Sequence, residues 1–389
     1  MLFHRSSLST RLLNRKLALF IVGLVVLTAV FGAVTTNTFA DRDPVPVIID
    51  TEPGVDDATA LAWLFGQDRY PVEVLGITTV AGNTSVENAT NNVLTLLETA
   101  GRTDIPVIMG VNQPSVKPLS HTPSLLHGPD GLWFVGMSNP HDLSAIPNDV
   151  AAFYRDTAVN NPGAKLVALG PLTNLADAIE LYPIEMALFS EIIVLGGAKN
   201  GGNQTPVAEF NFWQDPEAAD YVLSSSLPIT IIPLDTFSNF TISQSDIDDI
   251  TQNGTPVAQL IAGPLQQYAN VQMGLGGAAF ASVPDVTAVM VAVQPNFVHT
   301  VEPALVKIIT HDGLASGESV MGFTFNERIM MIADDAELSA LADQVWADPN
   351  FDIQAALYGI YLREPENADI IMKLKINRMH RKFIQGMQD

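Results

Sequence analysis

The sequence contains no cysteine among its 389 residues. Disulfide bonds, thiolate zinc sites and cysteine nucleophiles are therefore excluded. Basic residues are also scarce, because 19 lysines and arginines stand against 42 aspartates and glutamates, for a net charge of −23. A surface this acidic repels polyanions, so we expect no nucleic acid partner. This charge balance suits a neutral small molecule or a cation as the ligand.

The first forty residues have no acidic side chain and form a segment of their own. Basic residues between His4 and Lys16 precede an apolar run from Leu17 to Val34, and small residues follow at Thr38 and Ala40. This order predicts a signal peptide or, because the run nearly spans a bilayer, an N-terminal membrane anchor. We expect residues 1–40 to be this leader and residues 41–389 to form one extracytoplasmic domain. A membrane contact is expected only through an uncleaved leader.

Beyond the leader, apolar strand-like runs alternate with helical patterns. The predicted strands lie at 47–50, 71–80, 105–109, 165–169, 191–195, 229–233, 305–310 and 370–376. Residues 240–283 are predicted to be mainly helical, with a flexible break at 274–277. The alternation predicts an α/β fold, namely a single Rossmann-like domain with a mostly parallel central sheet flanked by helices.

Several polar residues follow directly after these predicted strands. Asp50, Asn83, Leu169, Gly196 and Asp235 stand at or just beyond strand ends. Ligands of open parallel sheets bind outside the carboxyl ends of the strands. We therefore expect these five positions to converge on one pocket.

The first strand leads into an unusual concentration of acids. Asp50, Glu52, Asp56 and Asp57 occupy eight residues around a Pro-Gly turn. Two acids at the start of a helix are explained by the helix dipole, but this does not account for the other two. Clustered carboxylates repel one another unless a cation is present. Hard oxygen ligands at this density favour calcium or magnesium.

Further polar turns follow in order along the chain: Thr78-Thr79-Val80-Ala81-Gly82-Asn83, Gly170-Pro171-Leu172-Thr173-Asn174, Ala208-Glu209-Phe210-Asn211 and Pro284-Asp285. With the opening motif, they resemble the inosine-uridine preferring nucleoside hydrolases, whose signature is Asp-x-Asp-Pro-Gly-x-Asp-Asp. The resemblance extends over residues 45 to 380. It implies a nucleoside as the small-molecule substrate.

The resemblance also implies roles for individual residues. It implies a calcium site formed by Glu52, Asp57, Asp285 and the backbone carbonyl of Leu169. It implies that Asp56 and Asn83 hold the ribose 2′ and 3′ hydroxyls, that Asn203, Glu209 and Asn211 hold the 5′ hydroxyl, and that Asp50 supports its neighbours from behind. Glu52 would activate a water molecule that attacks C1′ while the ribose becomes cationic. The products would be a free base and ribose.

The sequence departs from the family pattern at two positions. Glu52 stands where the family has aspartate, and the added methylene extends its reach by roughly 1.5 Å. Pro284 stands where a histidine often helps to protonate the departing base, and proline cannot transfer a proton. The candidates for that role are His121, Tyr268 and, as our choice of catalytic residue, His127.

Other features leave alternatives open. Trp133 and Trp213 could stack on a base or could serve only packing. The changes at Glu52 and Pro284 also allow a degenerate member that binds nucleosides or ribosides without efficient turnover. A magnesium-dependent, haloacid-dehalogenase-like phosphatase is a third reading of the acid cluster. A homo-oligomer is compatible with the sequence, which does not decide the oligomeric state.

Overall fold

The computed structural model describes residues 43–120, 123–135, 140–276 and 280–388. Residues Pro44–Asp389 form one compact unit. The predicted leader, with its apolar run from Leu17 to Val34, lies outside the described residues, as does His121. None of the helices in the described ranges combines the length and the apolar character needed to cross a bilayer.

The described residues contain eleven strands. They are β1 (Val45–Thr51), β2 (Val72–Thr79), β3 (Val107–Met109), β4 (Lys165–Ala168), β5 (Glu191–Leu195), β6 (Ile229–Ile232), β7 (Thr241–Ser243), β8 (Phe280–Ser282), β9 (Val298–Ile308), β10 (Ser319–Gly322) and β11 (Ala368–Leu374). Nine of them form one sheet in the order β10-β9-β11-β6-β5-β4-β1-β2-β3, and β7 pairs with β8. Only the pairs β11–β9 and β9–β10 of the large sheet are antiparallel. The predicted mostly parallel α/β sheet is confirmed.

Sixteen α-helices lie in the same ranges. They are α1 (Val55–Gly66), α2 (Val86–Ala100), α3 (Ser124–His127), α4 (Val150–Asn160), α5 (Thr173–Leu181), α6 (Pro183–Met186), α7 (Phe210–Gln214), α8 (Pro216–Leu223), α9 (Leu234–Phe237), α10 (Gln244–Asn253), α11 (Pro256–Gly276), α12 (Asp285–Val293), α13 (Phe325–Ile332), α14 (Asp335–Ala347), α15 (Ile353–Tyr361) and α16 (Ile376–Gln388). Many of them start at a side-chain cap. For example, Ser85 accepts a hydrogen bond from the Asn88 N–H, and Asp215 accepts one from the Ala218 N–H.

The central strands are buried on both faces, which explains their continuous apolar runs. Along β1, Val47 and Ile49 join a core with α1, α11 and α12, whereas Ile48 joins the opposite core with α4 and α5. The same alternation follows β4, where Val167 faces the first core and Leu166 the second. Because successive side chains point to opposite faces, each strand supplies both helical layers. The rigid sheet therefore sets the positions of all the loops at its carboxyl edge.

Residues 240–283 are mainly helical, as predicted, although β7 and β8 add a small two-stranded antiparallel sheet at the two ends of this region. The sequence predictions were wrong in two places. Helix α11 continues to Gly276 through the predicted break at Gly274. Strand β9 begins at Val298, several residues before the prediction, because its first half is largely exposed and lacks the apolar run of a buried strand.

Candidate active site

A cavity of about 390 Å³ opens at the carboxyl ends of the parallel strands. Nine of the eleven residues predicted for the site line it: Glu52, Asp56, Asn83, His127, Leu169, Asn203, Glu209, Asn211 and Asp285. The described residues that line the cavity include no lysine or arginine. The cavity thus combines several acids with no compensating positive side chain.

The turn between β1 and α1 is organised by Asp57, which lies just behind the cavity. Its Oδ1 accepts hydrogen bonds from the Thr51 hydroxyl and the Glu52 N–H. Its Oδ2 accepts hydrogen bonds from the Gly54 N–H and the Asn83 side-chain amide, each at 3.1 Å. An acid at N3 of a helix gains from the helix dipole and here also fixes the preceding turn. Asp57 therefore has a structural role, because its carboxylate holds the turn between β1 and α1 in place.

Three buried aspartates lie close enough to share a cation. Asp56, Asp57 and Asp285 each offer a carboxylate oxygen, and these oxygens lie within 4.8 Å of one another. Helix α1 contributes the first two and the first turn of α12 contributes the third. The Tyr268 hydroxyl donates a hydrogen bond to Asp56 Oδ2 at 3.0 Å. Asp56 thus belongs to the group that could hold a metal ion, although the sequence assigned it only to ribose.

Glu52 lies beside this group rather than in it. Its Oε2 accepts a hydrogen bond of 2.8 Å from the Asn83 backbone N–H. A Cβ added to Gly82 would lie 1.3 Å from this oxygen, and one added to Gly170 would lie 2.9 Å from Glu52 Cγ. The side chain therefore occupies a slot that only two glycines leave open. This slot accommodates the added methylene.

The far wall of the cavity is built on α7. Asn211 donates through Nδ2 to the carbonyls of Leu169, at 2.7 Å, and Leu195, at 2.9 Å. Its Oδ1 is buried without a hydrogen-bond partner among the described residues. The Glu209 carboxylate accepts from the backbone N–H groups of Gly197 and Asn211, and Asn203 Oδ1 accepts from the Phe210 N–H at 2.8 Å. The Leu169 carbonyl, with two lone pairs, retains one beyond Asn211.

Asp50 lies outside the cavity lining and is fully buried beneath it. Its Oδ1 accepts hydrogen bonds from the Thr78 hydroxyl and the Asn174 side-chain amide, at 2.6 and 2.8 Å. Its Oδ2 has no partner among the described residues. The Asp50 carboxylate thereby ties the ends of β1 and β2 to the start of α5, and its supporting role in catalysis stays a prediction.

His127 lines the cavity next to Tyr268, with the ring centroids 5.2 Å apart. Its Nδ1 accepts a hydrogen bond from the Val55 N–H at 3.1 Å. A backbone N–H can only donate, so Nδ1 carries no proton and the neutral ring carries its proton on Nε2. Asp56 Oδ1, 3.6 Å from the same Nδ1, is therefore a neighbour and not a hydrogen-bond partner.

Burial governs the charges of these groups. Burial, followed by repulsion from Asp57, raises the pKa of Glu52 well above its usual value, and burial raises that of Glu209 to about 7. Burial likewise raises the pKa of Asp57 to about 6, with Asp56 adding to the shift. Burial lowers the pKa of His127 to about 4. This pKa favours a neutral His127 ring at neutral pH, and its role as the acid for the departing base stays a prediction.

Other sequence expectations also need correction. Asp235 does not line the cavity, because its carboxylate accepts hydrogen bonds from the backbone N–H groups of Lys199 and Asn200. Trp133 and Trp213 do not line it either. The Trp133 indole donates to the Leu126 carbonyl, and Trp213 packs under the Lys117 ammonium. Both tryptophans serve packing, so neither is placed to stack on a base.

The sequence analysis missed the apolar wall of the cavity. This wall includes Leu126, Leu234, Phe237 and Leu275, together with Gln272. These residues come from helices α3, α9 and α11. No spacing in the sequence sets them apart from other apolar residues, so only the assembled fold identifies them.

A parallel sheet covered on both faces, with three carboxylates that can share a metal ion in a cleft at its strand ends, defines a metal-binding α/β enzyme. The model of the family described as inosine-uridine preferring nucleoside hydrolase matches residues 47–381. The chain belongs to this family. Membership overturns the phosphatase alternative, which has no place for this set of motifs.

Curated relatives agree with this membership. The chain is 32% identical over 277 residues to "Probable uridine nucleosidase 2" of Oryza sativa subsp. japonica, covering 71% of this chain and 81% of the relative. It is 31% identical over 302 residues to "Pyrimidine-specific ribonucleoside hydrolase RihA" of Shewanella woodyi, covering 77% and 93%. The chain thus spans most of the length of both relatives.

Solved structures share the fold. The protein titled "Plant nucleoside hydrolase - PpNRh1 enzyme" matches with a TM-score of 0.72 at 26% identity, covering 89% of this chain and 99% of that one. The "Purine-Preferring Ribonucleoside Hydrolase from Gardnerella vaginalis" matches with a TM-score of 0.70 at 22% identity, covering 88% and 98%. At that lower identity the second likeness concerns the fold alone.

Proposed function

We propose that the protein hydrolyses the N-glycosidic bond of ribonucleosides with the help of calcium, releasing a free base and ribose. The observation that carries this proposal is the group of Asp56, Asp57 and Asp285 in a cavity without a positive side chain among its described lining residues. Family membership supplies the reaction class.

The donor set fits a hard divalent cation. Calcium takes six to eight oxygen ligands in irregular geometry, which three carboxylates and a carbonyl can begin to supply. The raised pKa values of Asp57 and Asp285 reflect burial and mutual repulsion, which a cation would relieve. We assign Asp56, Asp57, Asp285 and the Leu169 carbonyl to the ion.

When bound, calcium would supply a positive charge that acidifies a water molecule and fixes the ribose hydroxyls. Glu52 takes the proton from a water molecule, whose oxygen forms the new bond to C1′. The bond from C1′ to the base nitrogen breaks, and its electron pair leaves with the base. The ribose ring carries positive charge in the transition state, and the surrounding acids stabilise it.

The remaining polar groups of the cavity suit the sugar. Asn83 and Asp56 are assigned to the 2′ and 3′ hydroxyls, and Asn203, Glu209 and Asn211 to the 5′ hydroxyl. The unpartnered Oδ1 of Asn211 supports this assignment, because a buried acceptor without a hydrogen bond costs about 1–3 kcal/mol and a substrate hydroxyl would satisfy it.

The departing base would contact His127 and Tyr268 in the cavity. Neutral His127 can donate a hydrogen bond from Nε2, which stabilises negative charge on a leaving base without transferring a proton. A pyrimidine spreads that charge over its carbonyl oxygens and needs less protonation than a purine. Together with the names of the relatives, this favours a pyrimidine ribonucleoside such as uridine as the substrate.

The test is ribose release from a panel of uridine, cytidine, inosine and adenosine, with calcium and with chelator. We expect release from uridine that stops on chelation and returns with calcium. Tight uridine binding by calorimetry without any release would instead establish a degenerate binding protein. Release that is indifferent to chelator would refute the calcium assignment.

The extracytoplasmic location is a further part of the proposal. It rests on residues 1–40, whose basic start, apolar run and small residues are typical of a secretory leader. Expression of the full chain followed by fractionation and N-terminal sequencing tests it. A mature protein that starts near Asp41 outside the cytoplasm is expected, and full-length protein in the cytosol would contradict the location.

A further inference from the structure

Glu52, the residue that differs from the family signature, also lies outside the group of three aspartates. The oxygens of Asp56, Asp57 and Asp285 lie within 4.8 Å of one another, and Glu52 is not part of this set, although it lines the same cavity. Thus no oxygen of Glu52 comes within that distance of all three of these oxygens. Of the three acids that the sequence resemblance assigned to the metal, Glu52, Asp57 and Asp285, only Glu52 lies outside this set.

The position of Glu52 is held by contacts that do not involve the aspartates. The Asn83 N–H donates to its Oε2 at 2.8 Å, and the backbone of Gly82 closes directly against that oxygen. Gly170 packs against its Cγ and Cδ from the other side. An aspartate at this position would have a carboxylate one bond shorter and could not fill the slot in the same way.

We propose that Glu52 acts as the base from outside the coordination shell of the metal, so that this chain divides between separate residues the metal-binding and water-activating roles that the family signature gives to one aspartate. This inference rests on the proposed function. The three aspartates then hold the ion without Glu52, and the second oxygen of Glu52, Oε1, is left to face the reacting water.

The division has a chemical advantage. A carboxylate that binds a cation is a weaker base, because the positive charge stabilises its anionic form. A carboxylate held instead by one backbone N–H keeps more of its basicity. It also stays in place when the ion leaves, because its slot is formed by Gly82, Asn83 and Gly170 rather than by the metal.

Europium bound in place of calcium tests the inference directly. Its luminescence lifetimes in H₂O and D₂O count the water molecules on the ion, and that count rises when a protein ligand is removed. We expect Glu52→Ala to bind europium with the wild-type water count while losing at least about a hundredfold in ribose release. We expect Asp285→Ala, the matched variant within the set, to gain at least one water or to lose the ion.

The outcome does not depend on how well Glu52→Ala folds, because Glu52→Met offers a side chain of the same length without an oxygen donor. Thermal unfolding and circular dichroism establish that each variant is folded. A water count that rises in the folded Glu52 variants as it does in Asp285→Ala, or a loss of europium binding in them, overturns the inference. If the wild-type protein releases no ribose, the proposed function fails while the water count still decides the position of Glu52.

Discussion

The slot that holds Glu52 makes the Gly82→Ala variant a stringent test of the assignment of Glu52 as the base. The new Cβ would lie 1.3 Å from Glu52 Oε2, whereas real Cβ contacts essentially never fall under 3.0 Å. The carboxylate must therefore move by about 1.7 Å, since it is the mobile partner. The backbone of Gly82 does not adopt a positive φ, so alanine itself causes no conformational strain there.

The expected loss of turnover follows from this displacement. A misplacement of about 1 Å at a reacting group costs roughly a hundredfold in rate, so we expect kcat to fall by at least that factor. The loss corresponds to about 2.7 kcal/mol of transition-state stabilisation. Calcium affinity, measured by calorimetry, should change by less than about threefold, because the three aspartates keep their places.

The matched control is Gly263→Ala. Gly263 is an exposed position of α11 where an added Cβ meets nothing within 4 Å, so kcat should stay at the wild-type value. Steady-state ribose release from uridine, with thermal unfolding of both variants, completes the comparison. A folded Gly82→Ala protein with turnover within a few-fold of the wild type would refute the assignment of Glu52 as the base.

Three further predictions concern the surroundings of the cavity. Burial raises the pKa of Asp50 and Asp57 to about 6, so the folded state binds more protons than the unfolded state between pH 4 and 6. The chelated protein should therefore lose stability as pH rises through that window, by up to about 3 kcal/mol per group. Thermal unfolding with chelator and with calcium measures this change, and a stability that rises with pH would contradict the prediction. Tyr268→Phe removes the hydrogen bond to Asp56 and should lower the free energy of urea unfolding by about 1–3 kcal/mol in the presence of calcium, whereas an unchanged value would mean that the bond contributes nothing. Trp213→Phe should leave KM for uridine within about twofold, since Trp213 does not line the cavity, and a tenfold rise would restore a stacking role.

Much of the fold was predictable because its information is local. Buried parallel strands have continuous apolar runs, and polar turns follow them, so the strands and the shared edge could be assigned from short stretches. The region around β10 and helices α13 to α15 could not be assigned, because α14 has no buried residue and its sequence lacks a strong apolar pattern. Its position depends on contacts such as Arg328 with Glu366, which join residues distant in the sequence.

The site was predictable as a set of residues but not as a geometry. Nine of the eleven predicted residues line the cavity, and most of them stand at a strand end or a helix start. The division between Asp56 and Glu52 could not be predicted, because it depends on Gly82 beyond β2 and Tyr268 on α11. Tyr268 and Asp56, for example, are in contact at 3.0 Å although they lie far apart in the sequence. Spacing within one motif carries no information about such contacts.

The acid cluster links stability to function through the electrostatic cost of burying its carboxylates together. Burying Asp56, Asp57 and Asp285 together costs free energy in the absence of a cation, as their raised pKa values express. A ligand that binds only the folded state adds about 2.7 kcal/mol of stability at a hundredfold excess over its Kd. The cation that serves the reaction would therefore also offset the repulsion that the cluster introduces. Glu52 also experiences this repulsion, but in our proposal its carboxylate is held by the Asn83 N–H and not by the ion. Removing calcium should thus loosen the aspartates while leaving the base where the next reaction needs it.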